Sequence, residues 1–235
     1  MAEMADRTRL LIGDEGIDRL RGSFVVLAGV GAVGGYALEG LVRAGVGHIR
    51  VVDSDVFSES NMNRQILAIV DTVGRRKVEV AAERARSINP DIIFEVMDCL
   101  VSKDSVPEIL SGSPDVLVDA IDTVGHKVEL LRYSSEKGLR TFSSMGAALH
   151  FDASSVRTAP LKKTRVCPLA SSVRSALRDC DTSNITCVFS EEHPIAVPKE
   201  RDEHGKSVLG SLPTIPAIFG MTLANEAIRY LLSKE

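Results

Sequence analysis

The chain has 235 residues, enough for one large α/β domain, and its 44% hydrophobic and 26% charged content excludes disorder, collagen and fibrous coils. A net charge of −4 excludes a globally basic nucleic-acid binder but leaves room for a local basic patch. Aromatic residues at 4%, with no Trp, speak against a stacking platform for single strands.

In chain order, residues 1–6 read as a flexible tail and 7–22 as an N-terminal arm, with early acids and no apolar run of signal-peptide length. Phe24-Val-Val-Leu-Ala28 is a β-branched run ending at glycines, the pattern of a buried parallel strand. A helix over Ala32 to Ala44 and a strand over His48 to Val52 complete a βαβ unit. Helices over Arg75–Ile88, Ser105–Leu110 and His126–Lys137 then alternate with strands over Ile92–Met97, Asp115–Ala120 and Leu139–Ser143. Asn89-Pro90 ends the first of these helices, because the residue before proline avoids the α region. The alternation predicts an α/β fold, a Rossmann-like doubly wound and mostly parallel sheet, with residues 23–146 as its nucleotide-binding core.

Residues 147–235 read as a substrate-facing part of the same domain. Short strands, able to pair antiparallel, are expected at Val156, Ile185–Phe189 and Ser207–Leu209, with a helix over Pro168–Arg178. Pro194, Pro198 and Gly205 among charges predict a mobile loop over 191–206. A closing helix spans 214–232. Its apolar stretch Ile215–Leu232 contains Asn225, Glu226 and Arg229, so it reads as a buried helix and no membrane span is expected. Cys99, Cys167, Cys180 and Cys187 form no C-x-x-C pair, so no zinc is expected, and unpaired thiols suit a cytoplasmic setting. Basic residues ahead of Cys167 favour a thiolate, but the residue is read as a packed side chain.

Gly29-Val-Gly31-Ala-Val-Gly34 follows the first strand and opens the first helix. The three glycines suit a tight turn, approach of phosphate to the backbone, and close helix–strand packing. The helix N-terminus offers free N–H groups and positive potential. Asp53 lies 19 residues after Gly34 at the end of the second strand, where a carboxylate can accept from ribose hydroxyls. The glycine pattern alone does not separate NAD from ATP.

The next stretch favours ATP. It runs from Asp53 through Asp55 to Asn63-Arg64-Gln65, with Lys77 near the start of the third helix. Cleaving a triphosphate requires cations to offset charge on the departing phosphates, which Arg64 and Lys77 supply as a planar fork and a point charge. Asn63 adds amide donors. Asp122, in Asp119-Ala-Ile-Asp122, sits at the carboxyl end of the fourth strand, where it can hold Mg²⁺ or orient the nucleotide. Each residue also has a plainer reading: Lys77 on a solvated helix face, Asp122 as a helix N-cap, Arg64 in a surface ion pair.

Taken together, these motifs resemble the adenylating superfamily that includes ThiF, MoeB, HesA and the ubiquitin-activating enzymes. The resemblance runs from about Arg7 to Leu232. It implies that Gly29, Gly31, Gly34, Asp53, Asp55, Asn63, Arg64, Gln65, Lys77 and Asp122 bind Mg-ATP, that Arg9, Arg64, Lys77 and Asp122 act in catalysis, and that a carboxylate is activated as an acyl-adenylate. Arg9 is similar to the arginine that reaches the triphosphate from the other subunit, which implies a homodimer; its plainer reading is a frayed terminal arm.

Within the superfamily, sulfur-carrier activators typically carry two C-x-x-C pairs and often a later cysteine nucleophile. Here only Cys187 echoes a zinc-ligand position, and Ser207-Val-Leu-Gly-Ser-Leu-Pro-Thr214 before the last helix has no cysteine. Ser144-Met-Gly146-Ala-Ala, Asp152-Ala-Ser, Lys163-Thr-Arg165-Val-Cys167-Pro-Leu-Ala170 and Phe189-Ser-Glu-Glu-His-Pro194 resemble instead the tRNA threonylcarbamoyladenosine dehydratase branch. That resemblance implies ATP-dependent activation of the threonylcarbamoyl carboxylate on an adenosine beside the anticodon, then attack by the carbamoyl part of the same side chain to close a five-membered ring. An intramolecular nucleophile explains why no catalytic cysteine is needed.

Residues 157–178 carry Arg157, Lys162, Lys163, Arg165, Arg174 and Arg178 and no acid; against the total of −4, this +6 leaves −10 on the remainder. By charge alone the segment reads either as a solvated face or as a phosphate-contacting one. The resemblance makes Lys162, Lys163, Arg165, Arg174 and Arg178 the tRNA-binding expectation, with Arg174 and Arg178 on one helix face. It also admits a cysteine desulfurase or sulfur-acceptor partner. The alternatives are an adenylating activator of a ubiquitin-like sulfur carrier that lacks a catalytic cysteine, and a nicotinamide-dependent oxidoreductase. His150 and His193 are candidates for proton transfer only as histidines, the residue type suited to it near neutral pH, and are assigned no role.

Overall fold

A computed structural model of the protein describes residues 4–195, 201 and 208–233. Seven strands form one sheet: β1 (Phe24–Ala28), β2 (His48–Val52), β3 (Ile93–Met97), β4 (Val116–Asp119), β5 (Thr141–Ser144), β6 (Val156–Pro160) and β7 (Ile185–Ser190). Their order is β3-β2-β1-β4-β5-β7-β6. All neighbours run parallel except β6, which pairs antiparallel with β7, from Val156 opposite Ser190 to Pro160 opposite Thr186. The expected doubly wound, mostly parallel sheet with a late antiparallel strand is therefore present.

The helices are α1 (Asp6–Gly22), α2 (Gly34–Ala44), α3 (Lys77–Ile88), α4 (Val106–Ile109), α5 (Val124–Glu136), α6 (Pro168–Ala176) and α7 (Thr214–Ser233). The alternation of side chains along β1 sends Val25 and Leu27 into the core shared with Leu38, Leu41, Phe219 and Leu223 of α2 and α7. Val26 and Ala28 face the opposite layer, with Leu117, Ile109 and Leu130 under α4 and α5. A third cluster beneath α6 joins Leu161, Val173, Ile185 and Phe189. Each fully buried Leu, Val or Phe contributes about 1.5–3 kcal/mol.

α7 lies directly on α2, a pairing that its all-round apolar sequence leaves open. The backbones come so close that a Cβ on Gly220 would stand 2.3 Å from the Val33 carbonyl oxygen. The closing helix thus seats the helix that begins at the glycine loop.

Several expected boundaries shift. The N-terminal arm is helical from Asp6, with a bend at Gly13, so residue 6 belongs to α1 and not to a tail; residues 1–3 lie outside the described residues. Strand pairing was expected at Ser207–Leu209, but Val208 and Leu209 lie in no strand, and Ser207 is outside the described residues. Of the loop expected over 191–206, only 191–195 and 201 are described. α6 ends at Ala176, so Arg178 lies beyond the helix and the expected shared face with Arg174 does not form. The Leu177 backbone, with φ −105° and ψ 19°, leaves the helical region.

Candidate functional site

The strand order reverses direction at β1 and β4, and the glycine loop and Asp122 follow the carboxyl ends of those two strands. Gly29 adopts φ +88°, and a Cβ there would lie 3.0 Å from the Ala120 carbonyl. A Cβ on Gly34 would fall 1.9 Å from the Gly29 carbonyl oxygen, so only glycine lets the loop close onto α2. At Gly31 the nearest atom would be Gln65 Nε2, at 3.9 Å, which leaves a notch open above the loop. Asp53 braces this loop. Its Oδ2 accepts from Val30 N at 2.8 Å and its Oδ1 from Asp55 N at 2.9 Å. Each oxygen keeps a further lone pair for a ribose hydroxyl.

Lys77 is the first residue of α3 and is 6% exposed, which rules out the solvated-face reading. Its ammonium bonds Asp55 Oδ2 at 2.9 Å and lies 6.0 Å from the centre of the Phe57 ring. Val30, Asp53, Asp55 and Lys77 are therefore linked by successive hydrogen bonds. Arg64 donates to the Ser60 carbonyl at 2.8 Å and to Asn63 Oδ1 at 2.7 Å. Among the described residues it pairs with no carboxylate, so the surface ion-pair reading fails. Asn63 Nδ2 donates to the Ser211 carbonyl at 3.1 Å, tying the segment before α7 to the site. Gln65 is buried beside the Gly31 notch, and its Oε1 has no hydrogen-bond partner. The Gln65 amide nitrogen borders the notch, and the orphan acceptor on the same amide fits a bridging water or a ligand hydroxyl.

Asp122 stands in the turn between β4 and α5, exposed, and its Oδ1 accepts from Thr123 Oγ1 at 3.1 Å. The N-cap position of α5 belongs to Thr123, so Asp122 is not the helix cap. Beneath it lies a cluster that the sequence reading missed. Asp119, Lys127 and Ser143 are all fully buried, and the Lys127 ammonium and the Ser143 hydroxyl both bond Asp119 Oδ2. These residues are contributed by β4, α5 and β5, and no local pattern marks them as neighbours.

The remaining expected residues lie apart from this cluster. Arg9 pairs within α1, 2.9 Å from Asp6 and 2.9 Å from Asp14. The basic segment is divided. Arg165 and Arg157 pair with Glu191, at the carboxyl end of β7. Lys162, Arg174 and Arg178 line a shallow cavity of about 230 Å³ with Leu161, Leu177 and Thr182. Arg174 is half-buried and donates to the Thr164 carbonyl at 2.8 Å, so it braces the 161–164 turn, whereas Lys162, Lys163, Arg165 and Arg178 are exposed. His193 is exposed. His150 is buried with its Nδ1 3.7 Å from Glu192, and burial holds its pKa below the ordinary histidine value. Burial pushes the Cys187 thiol up to about 12 and raises those of Cys99 and Cys180, so these three are poor sources of thiolate at neutral pH. Cys167 is buried against Gly146.

A glycine loop, an acid bracing it, and a buried lysine bonded to the next acid along define a doubly wound α/β protein of the Rossmann type. A family model described as the ThiF family matches residues 5–235, and the chain belongs to that family. It is similar to the tRNA threonylcarbamoyladenosine dehydratase of Bacillus subtilis (strain 168), with 32% identity over 243 residues that cover 99% of this chain and 96% of the relative. The Escherichia coli (strain K12) protein of the same name is 31% identical over 248 residues, covering 97% and 92%. The crystal structure of that E. coli dehydratase, TcdA, in complex with ATP matches with a TM-score of 0.87 at 29% identity, over 99% of this chain and 98% of the other.

No helix among the described residues is long and apolar enough to cross a membrane.

Proposed function

We propose that this protein is an ATP-dependent tRNA threonylcarbamoyladenosine dehydratase. The observation that carries the reading is full-length similarity to dehydratases of that name, together with an intact glycine loop and a buried Lys77 beside it. ATP lies across the Gly29–Gly34 loop, its phosphates against the loop N–H groups and the N-terminus of α2. Asp53 and Gln65 orient the ribose end, Arg64 and Lys77 offset charge on the polyphosphate, and Asn63 offers it an amide hydrogen bond. Asp122 would hold Mg²⁺ together with the phosphates, as that ion commonly takes one or two carboxylates plus substrate oxygens. When bound, it supplies further charge neutralisation.

The tRNA side chain presents its threonylcarbamoyl carboxylate to the nucleotide. The carboxylate oxygen attacks the α-phosphorus of ATP, breaking its bond to the β-phosphate bridge and releasing pyrophosphate; the carbamoyl group of the same side chain then attacks the acyl carbon to close the five-membered ring, giving up a proton as AMP leaves. The net change is loss of water from the nucleoside. Holding the activated acyl group away from bulk water lets ring closure compete with hydrolysis, because an intramolecular attack enjoys an effective molarity of ~10⁵ M or more. None of these steps uses a cysteine. The test is mass analysis of nucleosides from threonylcarbamoyladenosine-bearing tRNA incubated with the protein, ATP and Mg²⁺. A product lighter by one water supports the reading. ATP turnover that instead requires a small protein ending in Gly-Gly would favour the sulfur-carrier alternative.

The working unit is a homodimer in which Arg9 serves the partner's nucleotide. Leu10 and Leu11, next to Arg9 on α1, are 81% and 85% exposed, an apolar pair suited to burial against a second copy. Arg9→Ala and Lys77→Ala proteins, each inactive alone, are expected to regain turnover when mixed and allowed to exchange subunits. Up to about a quarter of the sites are then complete. No recovery in a mixture shown to contain mixed dimers would mean that Arg9 does not act across subunits.

Lys162, Lys163, Arg165 and Arg178 contact tRNA phosphates, with Arg174 supporting the surface from beneath. Lys162→Glu/Arg178→Glu is expected to weaken tRNA binding and lower its salt slope by about two, with MgATP affinity unchanged. Filter binding across a salt series checks this, and an unaltered slope removes both residues from the interface.

A further inference from the structure

We propose that Asp119, Lys127 and Ser143 form a buried positioning device that holds the β4–α5 turn, and with it Asp122, in register with the glycine loop. This inference rests on the reading that Asp122 works on MgATP. Its atoms are arranged as a relay from core to turn. Asp119 is the last residue of β4. Its Oδ2 accepts from Ser143 Oγ at 2.6 Å and from the Lys127 ammonium, and that ammonium lies 3.2 Å from Ser143 Oγ. Its Oδ1 points the other way and accepts from the Ile121 N–H at 3.0 Å, directly before Asp122. The Ala120 N–H donates to the Ala28 carbonyl at 2.8 Å, and the Ala120 carbonyl walls in Gly29. The turn therefore carries Asp122 and one side of the glycine loop together.

All three side chains have no solvent exposure. A buried ion pair contributes little net stability, since desolvation offsets its attraction, and apolar residues of similar volume commonly do as well. Fold stability alone does not call for charge here. Orientation does: the carboxylate is fixed by two donors from beneath, so its free oxygen can fix a backbone N–H above. Cys187, the register partner of Ser143 on β7, stays neutral and adds no third charge.

The test pairs stability with site geometry. In Asp119→Leu/Lys127→Met both charges leave together, so the melting temperature is expected to stay within a few degrees of the parent. The Ile121 amide is expected to lose its hydrogen-exchange protection, and MgATP-dependent turnover to fall by ~10- to 10²-fold, the scale of a misplaced group, with KM for tRNA unchanged. Parental protection at Ile121 with parental turnover would overturn the proposal. Should the double variant not fold, Ser143→Ala keeps the ion pair and removes one hydroxyl. It is expected to raise KM for MgATP about 3- to 5-fold with a melting temperature lowered by only a few degrees; a parental KM would count against the device. If the parent itself neither binds nor turns over MgATP, the ATP reading fails, and Ile121 protection in the same variants still decides the positioning.

Discussion

Lys77→Ala is expected to fold like the parent and to lose at least ~10²-fold in turnover, the usual cost of one charge donor at a developing anion. The two effects separate because of where the ion pair sits. Asp55 is about two-thirds exposed, so water rehydrates its carboxylate when the ammonium is removed. The lysine side chain, by contrast, is 8% exposed, and its ammonium lies above the Phe57 ring in a position that a bulk cation does not replace. Arginine is a poor substitute, because its planar fork needs room that a point charge does not. Single-turnover kinetics beside a melting curve check the claim. A folded Lys77→Ala protein with parental turnover would take Lys77 out of the site.

Gly34→Ala is expected to disrupt both the loop and the packing of α2. The added Cβ would stand 1.9 Å from the Gly29 carbonyl oxygen, which is backbone and cannot rotate away. Either the loop or the first turn of α2 must move, at a cost of at least about 1–3 kcal/mol. For a chain of this length that lowers the melting temperature by about 2–4 °C per kcal/mol. Nucleotide affinity falls with it, because the loop N–H groups lose their convergence. Gly31→Ala is the control. Its Cβ would meet nothing closer than 3.9 Å, so it is expected to melt like the parent while its methyl fills the phosphate notch and weakens MgATP binding. Thermal melts with and without nucleotide distinguish the two, and a Gly34→Ala protein of parental stability would contradict the packing described here.

Much of the candidate site is legible in the sequence. The glycine loop, Asp53 and the Asn63-Arg64-Gln65 run are contiguous or belong to one βαβ unit, and their chemistry follows from backbone freedom and charge that each residue carries locally. The succession of short apolar runs and amphipathic helices announced the parallel sheet for the same reason. What stayed hidden depends on contacts between distant elements. Lys77 is singled out from sequence as a phosphate cation, but its neighbours Arg75 and Arg76 leave a solvated helix face as the plainer reading, and only its burial beside Phe57 removes that reading. Arg174 and Arg178 suggest one helix face until the helix ends at Ala176 and Arg174 turns to Thr164.

The sequence by itself determined the fold class, the glycine loop and the absence of a paired-cysteine framework, because glycine spacing, hydrophobic period and residue counts are properties of the chain alone. Only the tertiary structure decided that Asp53 braces the loop through Val30 and Asp55, that α7 rests on α2, and that Lys127 meets Asp119 and Ser143 in the core. Burial and hydrogen-bond partnership are set by what other segments bring to the same point in space, and a side chain acquires them only once the sheet has closed.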